Sequence, residues 1–371
     1  MRKVLLFTLL AWAGMALAGA CGETGSPPAQ LTFTLDRSGN TDIAIPNAGD
    51  SSPVGLTSVL PWEAFPAWSP DGGRLAYYAT SPDEGFNRDI YVADADGSEV
   101  VNLTDSPAED ALPSWSPDGS LMAFYSDRDG NGEVYVMKAD GSDITRLTRD
   151  PDVDFPYGWS PDGTRILFGS FRDGNLEIYS MDRDGTDTTR LTDDPAQDFP
   201  AVYSPDGSRI AFESQRDGGS DVYVMNVDGS RRTNLTVHVL RDGSPAWAPG
   251  GNRIAFVSER DTDAEIYQMD LTYSYLTRVT RVSRDDVWPV WSPDGGRLAF
   301  VSNRNFNSDI YIANADGSGQ TRLTDDPAPD RGPAWSPDGS RLAFESFRDG
   351  ESEVWTVNVD GSGLTRISAA R

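Results

Sequence analysis

One short pattern recurs along the chain at an almost constant interval. It is an aromatic residue followed by a Ser-Pro-Asp-Gly turn, as in Trp115–Gly119. The first two aromatic residues are 47 residues apart, and every later step is 44 residues. A fixed period of this length predicts a repeat protein, in which each unit buries its apolar surface against its neighbours. The aromatic residues are Trp68, Trp115, Trp159, Tyr203, Trp247, Trp291 and Trp335.

Each unit predicts four strands. Proline fixes φ at the first corner of the turn, Asp suits the second and Gly accepts the exit conformation, so the turn joins two strands in a hairpin. A polar Ser-x-Arg-Asp-Gly loop then leads to a third strand, and an Asp-Gly-Ser turn leads to a fourth. Four strands in about 44 residues is the size of one β-propeller blade. The expected fold is all-β, a single propeller of four-stranded blades, with an extended β-solenoid as the alternative.

The number of blades depends on the first unit. Residues 26–45 align with the last unit, with Gly25 in place of the aromatic residue. We expect eight blades because the apolar strands of this unit need neighbours, and seven blades plus an N-terminal appendage is the alternative. The propeller then spans residues 31–371, with repeats opening at about residues 25, 68, 115, 159, 203, 247, 291 and 335.

The N-terminus predicts export. Arg2 and Lys3 precede an apolar stretch that is too short for a comfortable membrane span, so residues 1–20 have the form of a signal peptide. The stretch before Cys21 resembles a bacterial lipobox, in which the cysteine is lipidated, and Cys21 is the only cysteine. Residues 21–30 are then a flexible tether to a lipid anchor. Ordinary secretion with a free thiol is the alternative.

The charge of the chain restricts its partners. With 58 acidic and 31 basic residues the net charge is −27, and phosphate binding requires a basic surface, so we expect no nucleic-acid partner. The acidic excess favours divalent cations or cationic partners without selecting one.

The repeated unit, with its WSPDG turn, RDG loop and DGS turn, resembles the TolB-like propeller repeat. The resemblance covers about residues 26–371 and implies the fold, whereas it says little about function because propellers are scaffolds for many sites. The N-terminal α/β domain of TolB is not expected here, since only nine residues separate Cys21 from the first strand. Prolyl-oligopeptidase relatives add a hydrolase domain, but this chain contains no G-x-S-x-G motif.

An acid stands five residues before each aromatic residue, where the innermost strand begins. We expect these acids to form a ring around one mouth of the channel and to be the candidate ligand-binding residues: Glu63, Asp110, Asp154, Asp198, Asp242, Asp286 and Asp330. Supporting arginines stand thirteen residues after the aromatic residue: Arg128, Arg172, Arg216, Arg260, Arg304 and Arg348. One interpretation is that the ring attracts and binds a cation, such as Ca²⁺, or a cationic ligand. The other is that its acids form a layer of ion pairs that holds the blades together.

Positions where the repeat changes are the candidates for specificity. They are the longer loop from Thr80 to Asp89, the WAPGG turn that begins at Trp247, and the aromatic residues beside the ring acids, Phe155, Phe199 and Trp288. His238 is the only histidine and is expected to be an ordinary loop residue, so a serine triad or a multi-histidine metal site has little to draw on.

These observations favour a monomeric, lipid-anchored binding or scaffolding module of the bacterial cell envelope, periplasmic or on the cell surface. Its partner would be an envelope protein or a glycan, and no catalytic residue is assigned. The alternative is a carbohydrate-active enzyme, a hydrolase or lyase that acts through carboxylates.

Overall fold

The computed structural model describes residues 63–80 and 87–367, together with the backbone of three short strands near the N-terminus. These strands, β1 (Thr32–Leu35), β2 (Thr41–Ile45) and β3 (Val54–Gly55), form an antiparallel sheet in the order β1-β2-β3. They belong to a compact unit of residues 1–60, and residues 61–371 form the second unit. The predicted signal peptide, Cys21 and the tether lie outside the described residues.

The second unit contains seven four-stranded antiparallel sheets, each with its strands in chain order. Blade 1 contains β4 (Glu63–Trp68), β5 (Arg74–Thr80), β6 (Arg88–Asp94) and β7 (Val101–Asn102). Blade 2 contains β8 (Asp110–Trp115), β9 (Leu121–Ser126), β10 (Glu133–Lys138) and β11 (Thr145–Arg146). Blade 3 contains β12 (Asp154–Trp159), β13 (Arg165–Ser170), β14 (Glu177–Asp182) and β15 (Thr189–Arg190).

The remaining blades repeat this pattern. Blade 4 contains β16 (Asp198–Tyr203), β17 (Arg209–Ser214), β18 (Asp221–Asn226) and β19 (Thr233–Asn234). Blade 5 contains β20 (Asp242–Trp247), β21 (Arg253–Asp261), β22 (Asp263–Asp270) and β23 (Tyr275–Arg278). Blade 6 contains β24 (Asp286–Trp291), β25 (Arg297–Ser302), β26 (Asp309–Asn314) and β27 (Thr321–Arg322). Blade 7 contains β28 (Asp330–Trp335), β29 (Arg341–Ser346), β30 (Glu353–Asn358) and β31 (Thr365–Arg366).

Blade 7 packs directly on blade 1 and closes the ring. The Trp68 indole N–H donates to the carbonyl of Ala334 at 3.3 Å. The Arg341 guanidinium donates to the carbonyl of Ala95 at 2.7 Å. At Gly72, whose φ is +70°, an added Cβ would lie 3.4 Å from Cδ of Pro337. These contacts leave no space for another sheet between the two blades, so the expected count of eight blades is wrong and the alternative of seven is correct. The closed ring also excludes the extended solenoid.

The core lies between neighbouring blades. The middle strands carry apolar side chains on both faces, as a sheet covered on both sides requires. Between blades 4 and 5, for example, Ala211 and Val222 pack against Trp247 and Phe256. The same strand position holds a fully buried phenylalanine in six blades, at Phe124, Phe168, Phe212, Phe256, Phe300 and Phe344.

The antiparallel strands place the connections on two faces. One face, named here the turn face, carries the Ser-Pro-Asp-Gly turns and the turns between third and fourth strands. The opposite face, named the loop face, carries the loops between second and third strands and the crossovers from each blade to the next. Within the described residues no helix is long and apolar enough to cross a membrane.

Candidate functional site

The predicted ring acids begin the innermost strands on the loop face, where the sequence places them. Glu63 begins β4, and its side chain lies outside the described residues. The other six acids have no solvent-exposed surface: Asp110, Asp154, Asp198, Asp242, Asp286 and Asp330.

Each of these six acids forms an ion pair with the predicted arginine of its own blade. The N···O distances lie between 2.6 and 3.2 Å, in the pairs Arg128–Asp110, Arg172–Asp154, Arg216–Asp198, Arg260–Asp242, Arg304–Asp286 and Arg348–Asp330. In blade 3, Nε of Arg172 also donates to Ser170 Oγ at 2.8 Å. The same guanidinium lies over the rings of Phe168 and Tyr179. Each arginine is therefore held by a carboxylate, a hydroxyl and aromatic faces of one blade.

Burial dominates the ionisation of these acids. It raises the pKa of Asp154 and of Asp286 to about 6, although the arginine partners and nearby hydroxyl groups oppose the shift. Glu133 and Glu265, each from the preceding blade, add to the increase through repulsion between like charges. Burial likewise raises the pKa of Asp110, Asp198, Asp242 and Asp330.

A second layer of acids begins the third strands and is also buried. Glu133 pairs with Arg146 of the fourth strand at 2.6 Å and accepts a hydrogen bond from Thr148 Oγ1. Thr148 Oγ1 in turn accepts the N–H of Val134 at 2.9 Å. The equivalent acids are Glu177, Asp221, Glu265, Asp309 and Glu353, and their fourth-strand partners are Arg190, Asn234, Arg278, Arg322 and Arg366.

The geometry gives the ring acids a structural part in every described blade. Each of the six described acids already holds an arginine, and among the described residues no three His, Cys, Asp or Glu side chains converge as metal ligands. Ligand binding by the ring stays a prediction.

The repeated tryptophans join neighbouring blades. In six of them the indole N–H donates to a carbonyl of the preceding blade's innermost strand at 2.9 to 3.3 Å: Trp68, Trp115, Trp159, Trp247, Trp291 and Trp335. In blade 4 the residue is Tyr203, whose hydroxyl instead bonds Ser180 Oγ of blade 3 at 3.2 Å. These aromatic residues therefore lie in, or pack against, the apolar cores between blades.

A buried carboxylate also occurs outside the positions of these layers. Glu213 of β17 is 1% exposed and pairs with Arg241 of the crossover between blades 4 and 5 at 3.1 Å. It also accepts the hydroxyl of Ser220 at 2.5 Å and the N–H of Ser244 at 3.1 Å. At Gly243 an added Cβ would lie only 1.9 Å from this carboxylate. Glu213 therefore joins blade 4 to the crossover and to the first strand of blade 5.

The predicted specificity aromatics lie beside the ring acids. Phe155 is buried and makes an edge contact with Tyr157, at 5.4 Å between ring centroids. Phe199 and Trp288 are half-buried, and Trp288 has a left-handed backbone with φ of 56°. Of the predicted loop from Thr80 to Asp89, residues 81–86 lie outside the described residues.

The loop face exposes apolar side chains at the crossover between blades 4 and 5. Val237, Val239 and Leu240 are 74%, 84% and 46% exposed. The crossovers into blades 3, 4 and 7 have an Asp-Pro pair at the corresponding place, whereas this crossover reads Val-His-Val-Leu. Neighbouring apolar side chains that are exposed on one loop are typical of a surface that contacts another molecule.

The next crossover places a cation over an exposed aromatic ring. Phe306 of blade 6 is 84% exposed, and the Arg284 guanidinium lies 3.7 Å from its ring centroid. Arg281 and Arg284 are both exposed, and neither makes an ion pair with another residue in the part of the chain that the structure describes. We name Val237, Val239, Leu240, Arg281, Arg284 and Phe306 together the crossover patch, in two parts that flank blade 5.

Sequence reasoning missed the crossover patch. The signal was available, since these two crossovers replace acidic, proline-containing segments with Val-His-Val-Leu and Arg-Val-Ser-Arg. The regular acids drew attention instead because they recur in every unit.

Comparisons with known proteins agree with the β-propeller fold. The family model for the TolB beta propeller domain matches residues 152–240 and 244–371, and that for the Tricorn protease N-terminal beta propeller domain matches residues 85–177. A search of curated proteins found no significant match.

Several solved structures are also similar to this chain in fold. A candidate TolB of Agrobacterium tumefaciens superposes with a TM-score of 0.51 at 25% identity, over 61% of this chain and 84% of that one. TolB of Acinetobacter baumannii superposes with a TM-score of 0.53 at 24% identity, over 68% of this chain and 64% of that one. An oligogalacturonate lyase of Vibrio parahaemolyticus has a TM-score of 0.65 at 17% identity, over 89% of this chain and 97% of that one, a likeness of fold alone. Because the repeated turns, the closed ring and a family model that matches more than half of the residues all agree, the chain belongs to the TolB beta propeller domain family.

Proposed function

We propose that this protein is a non-catalytic binding module of the bacterial cell envelope whose crossover patch docks a partner protein. The observation that carries the proposal is the exposure of Val237, Val239, Leu240 and Phe306 on the loop face, whereas the other exposed large apolar side chains of the described residues lie elsewhere on the ring. Exposed apolar surface with a polar rim is typical of protein interaction sites.

Charge complementarity favours an acidic partner surface. The chain as a whole has a net charge of −27, so it repels acidic proteins at long range. Arg281 and Arg284 provide local positive charge on this negatively charged protein. They have no carboxylate partner among the described residues. A carboxylate of the partner would pair with Arg284, while apolar partner residues would cover Phe306 and Val239. Arginine and aromatic side chains are the residue types that contribute most to binding at interfaces.

Export supports an envelope location. The positively charged, then apolar N-terminus and the lipobox-like stretch before Cys21 fit a lipoprotein exported through the inner membrane. We propose that the mature protein is held by a lipid on Cys21, with the ring as its soluble domain. In this proposal the ring acids support the loop face by fixing its arginines and do not contact the partner.

Affinity capture from envelope extract tests the proposal. A variant with Val237→Ser, Val239→Ser, Leu240→Ser and Phe306→Ser removes the apolar part of the patch and leaves the buried layers intact. We expect it to lose the protein that the wild type captures. The control variant Tyr273→Ser/Tyr275→Ser removes two side chains that are 80% and 66% exposed on the turn face, and should retain that protein.

Two outcomes would contradict the proposal. One is loss of the captured protein from the turn-face control with retention by the patch variant. The other is that the wild type captures no protein but binds a polysaccharide on a glycan array, since a glycan partner requires a different site.

A further inference from the structure

The crossover between blades 4 and 5 is folded around the only imidazole of the chain. Leu240 donates its backbone N–H to Nδ1 of His238 at 3.1 Å. His238 donates its own N–H to Asp221 Oδ1 at 2.9 Å, and Val237 donates its N–H to Asn234 Oδ1 at 3.0 Å. The imidazole residue is half-buried, whereas Val237, Val239 and Leu240 around it are exposed.

These bonds hold a conformation that the loop would not adopt alone. Val237 is a β-branched residue with φ of 37°, in the left-handed region that such side chains disfavour. Three anchors, at the N–H groups of Val237, His238 and Leu240, therefore hold the backbone on both sides of Val239. Of the three acceptors, only Nδ1 of His238 belongs to the crossover itself.

Nδ1 can accept this bond only while it carries no proton. In the protonated imidazole both ring nitrogens are donors. The backbone N–H of Leu240 would then face the ring Nδ1–H of His238, and neither could accept a hydrogen bond. Imidazoles as a class change charge between pH 5 and 8. Protonation would therefore remove the anchor at Leu240 and leave the others in place.

The charged groups around the loop have their own partners. From β18, Asp221 accepts from His238 N–H, from Thr236 Oγ1 and from Asn234 Nδ2. From β17, Glu213 pairs with Arg241 of the crossover, and from β20, Asp242 pairs with Arg260. In the loop before β18, Asp217 accepts from Tyr223 and Asn234. None of these carboxylates accepts a hydrogen bond from the Leu240 N–H.

We infer that His238 is a pH-sensitive latch for the apolar half of the crossover patch. With a neutral imidazole the crossover holds Val239 and Leu240 in the binding conformation, and protonation releases them, so partner binding weakens at low pH. This inference rests on the proposed function for its binding consequence, whereas the latch itself is a property of the isolated protein.

The latch is tested without a partner by following two nuclear magnetic resonance signals. Because the chain has one histidine, its imidazole gives a single set of ring signals. We expect the Leu240 amide signal and the imidazole signals to move together, with one common midpoint, as the pH is lowered. In His238→Asn the side-chain oxygen can accept the same N–H in an Asx turn and does not titrate, so the Leu240 amide should then be independent of pH. A Leu240 amide that does not follow the imidazole in the wild type would overturn the latch.

The binding consequence is tested by repeating the envelope capture at about pH 8 and about pH 5.5. Wild type should capture roughly threefold to tenfold less of its partner at the lower pH, the change that one hydrogen bond provides. His238→Asn should capture equally at both, and His238→Leu should capture weakly at both. If the Leu240 amide follows the imidazole but capture by wild type is unaffected by pH, the pH-sensitive hydrogen bond is confirmed. Its effect on partner binding is then refuted.

Discussion

Replacing Arg304 by methionine removes the cation from one buried ion pair while keeping most of the length of the side chain. Arg304 Nη2 lies 2.8 Å from Asp286 Oδ2, and Asp286 has no exposed surface. The guanidinium also lies over Phe300 and Tyr311, at 5.7 and 4.2 Å from their ring centroids. Methionine would keep contact with these rings, so the variant removes the charge and the hydrogen bonds of Arg304 to Asp286, Ser302 and Gln320 while it retains most of the packing.

The expected loss of stability is large at neutral pH. Breaking a buried ion pair by removing one partner destabilises a protein by about 3–5 kcal/mol, because the remaining charge is buried without compensation. Asp286 can escape part of this loss by binding a proton, and its pKa is already raised to about 6 by burial. Arg304→Met should therefore lower the free energy of unfolding by roughly 3 kcal/mol near pH 8 and by clearly less near pH 5.

Urea unfolding followed by tryptophan fluorescence measures these changes. The double variant Arg304→Met/Asp286→Asn should be more stable than Arg304→Met alone, since it removes the uncompensated charge. Lys138→Met is the matched control, because the Lys138–Asp143 pair is 56% and 69% exposed and surface pairs contribute little. The reasoning is refuted if Arg304→Met is no more destabilising than Lys138→Met, or if its effect is the same at both pH values.

Three further predictions concern the buried layers. The folded-state pKa of Asp154 and of Asp286 is about 6, above the ordinary value of 3.8, so their contribution to stability is present at low pH and lost as pH rises through about 6. The melting temperature should therefore gain less between pH 7 and pH 5 in Asp154→Asn/Asp286→Asn than in wild type, and an equal gain would contradict the assigned burial. Gly243→Ala should destabilise by about 1–3 kcal/mol in urea unfolding because its Cβ meets Glu213, whereas Gly73→Ala should not, and equal stability of the two variants would contradict this packing. Millimolar calcium should leave the melting temperature unchanged, since the described ring acids already hold arginine, and a clear increase would revive the cation site.

The sequence predicted the blade because local chemistry determines it. The Pro-Asp-Gly turn, the apolar strands and the constant period act within about 44 residues of one another. The number of blades depends instead on contacts across the whole chain. Trp68 bonds to Ala334, and Arg341 reaches Ala95, so the ring closes without the first unit. Gly25 occupies the position at which the first unit would need a tryptophan to bond to a neighbouring blade. The absence of that tryptophan already indicated that this unit is not an eighth blade.

The positions of the ring acids were predictable, whereas their surroundings were not. An acid five residues before the tryptophan and an arginine thirteen residues after it lie side by side because Asp110 opposes Ser126 across β8 and β9. Spacing alone suggests an exposed mouth, since charged residues are rarely fully buried unless paired. Burial came from the neighbouring blade, whose Glu133 and Thr148 cover Asp154.

Site-specific photo-crosslinking in envelope preparations tests most directly whether binding takes place where the repeat changes. A photoreactive phenylalanine analogue would replace Val239 or Phe306 in the crossover patch, and Tyr273 or Val101 at exposed positions elsewhere on the ring. We expect one envelope protein to be crosslinked from both patch positions and from neither control position. Equal crosslinking from Tyr273 or Val101, or none from the patch while the controls react, would contradict the central claim that the repeated charges build the ring and the altered crossovers bind the partner.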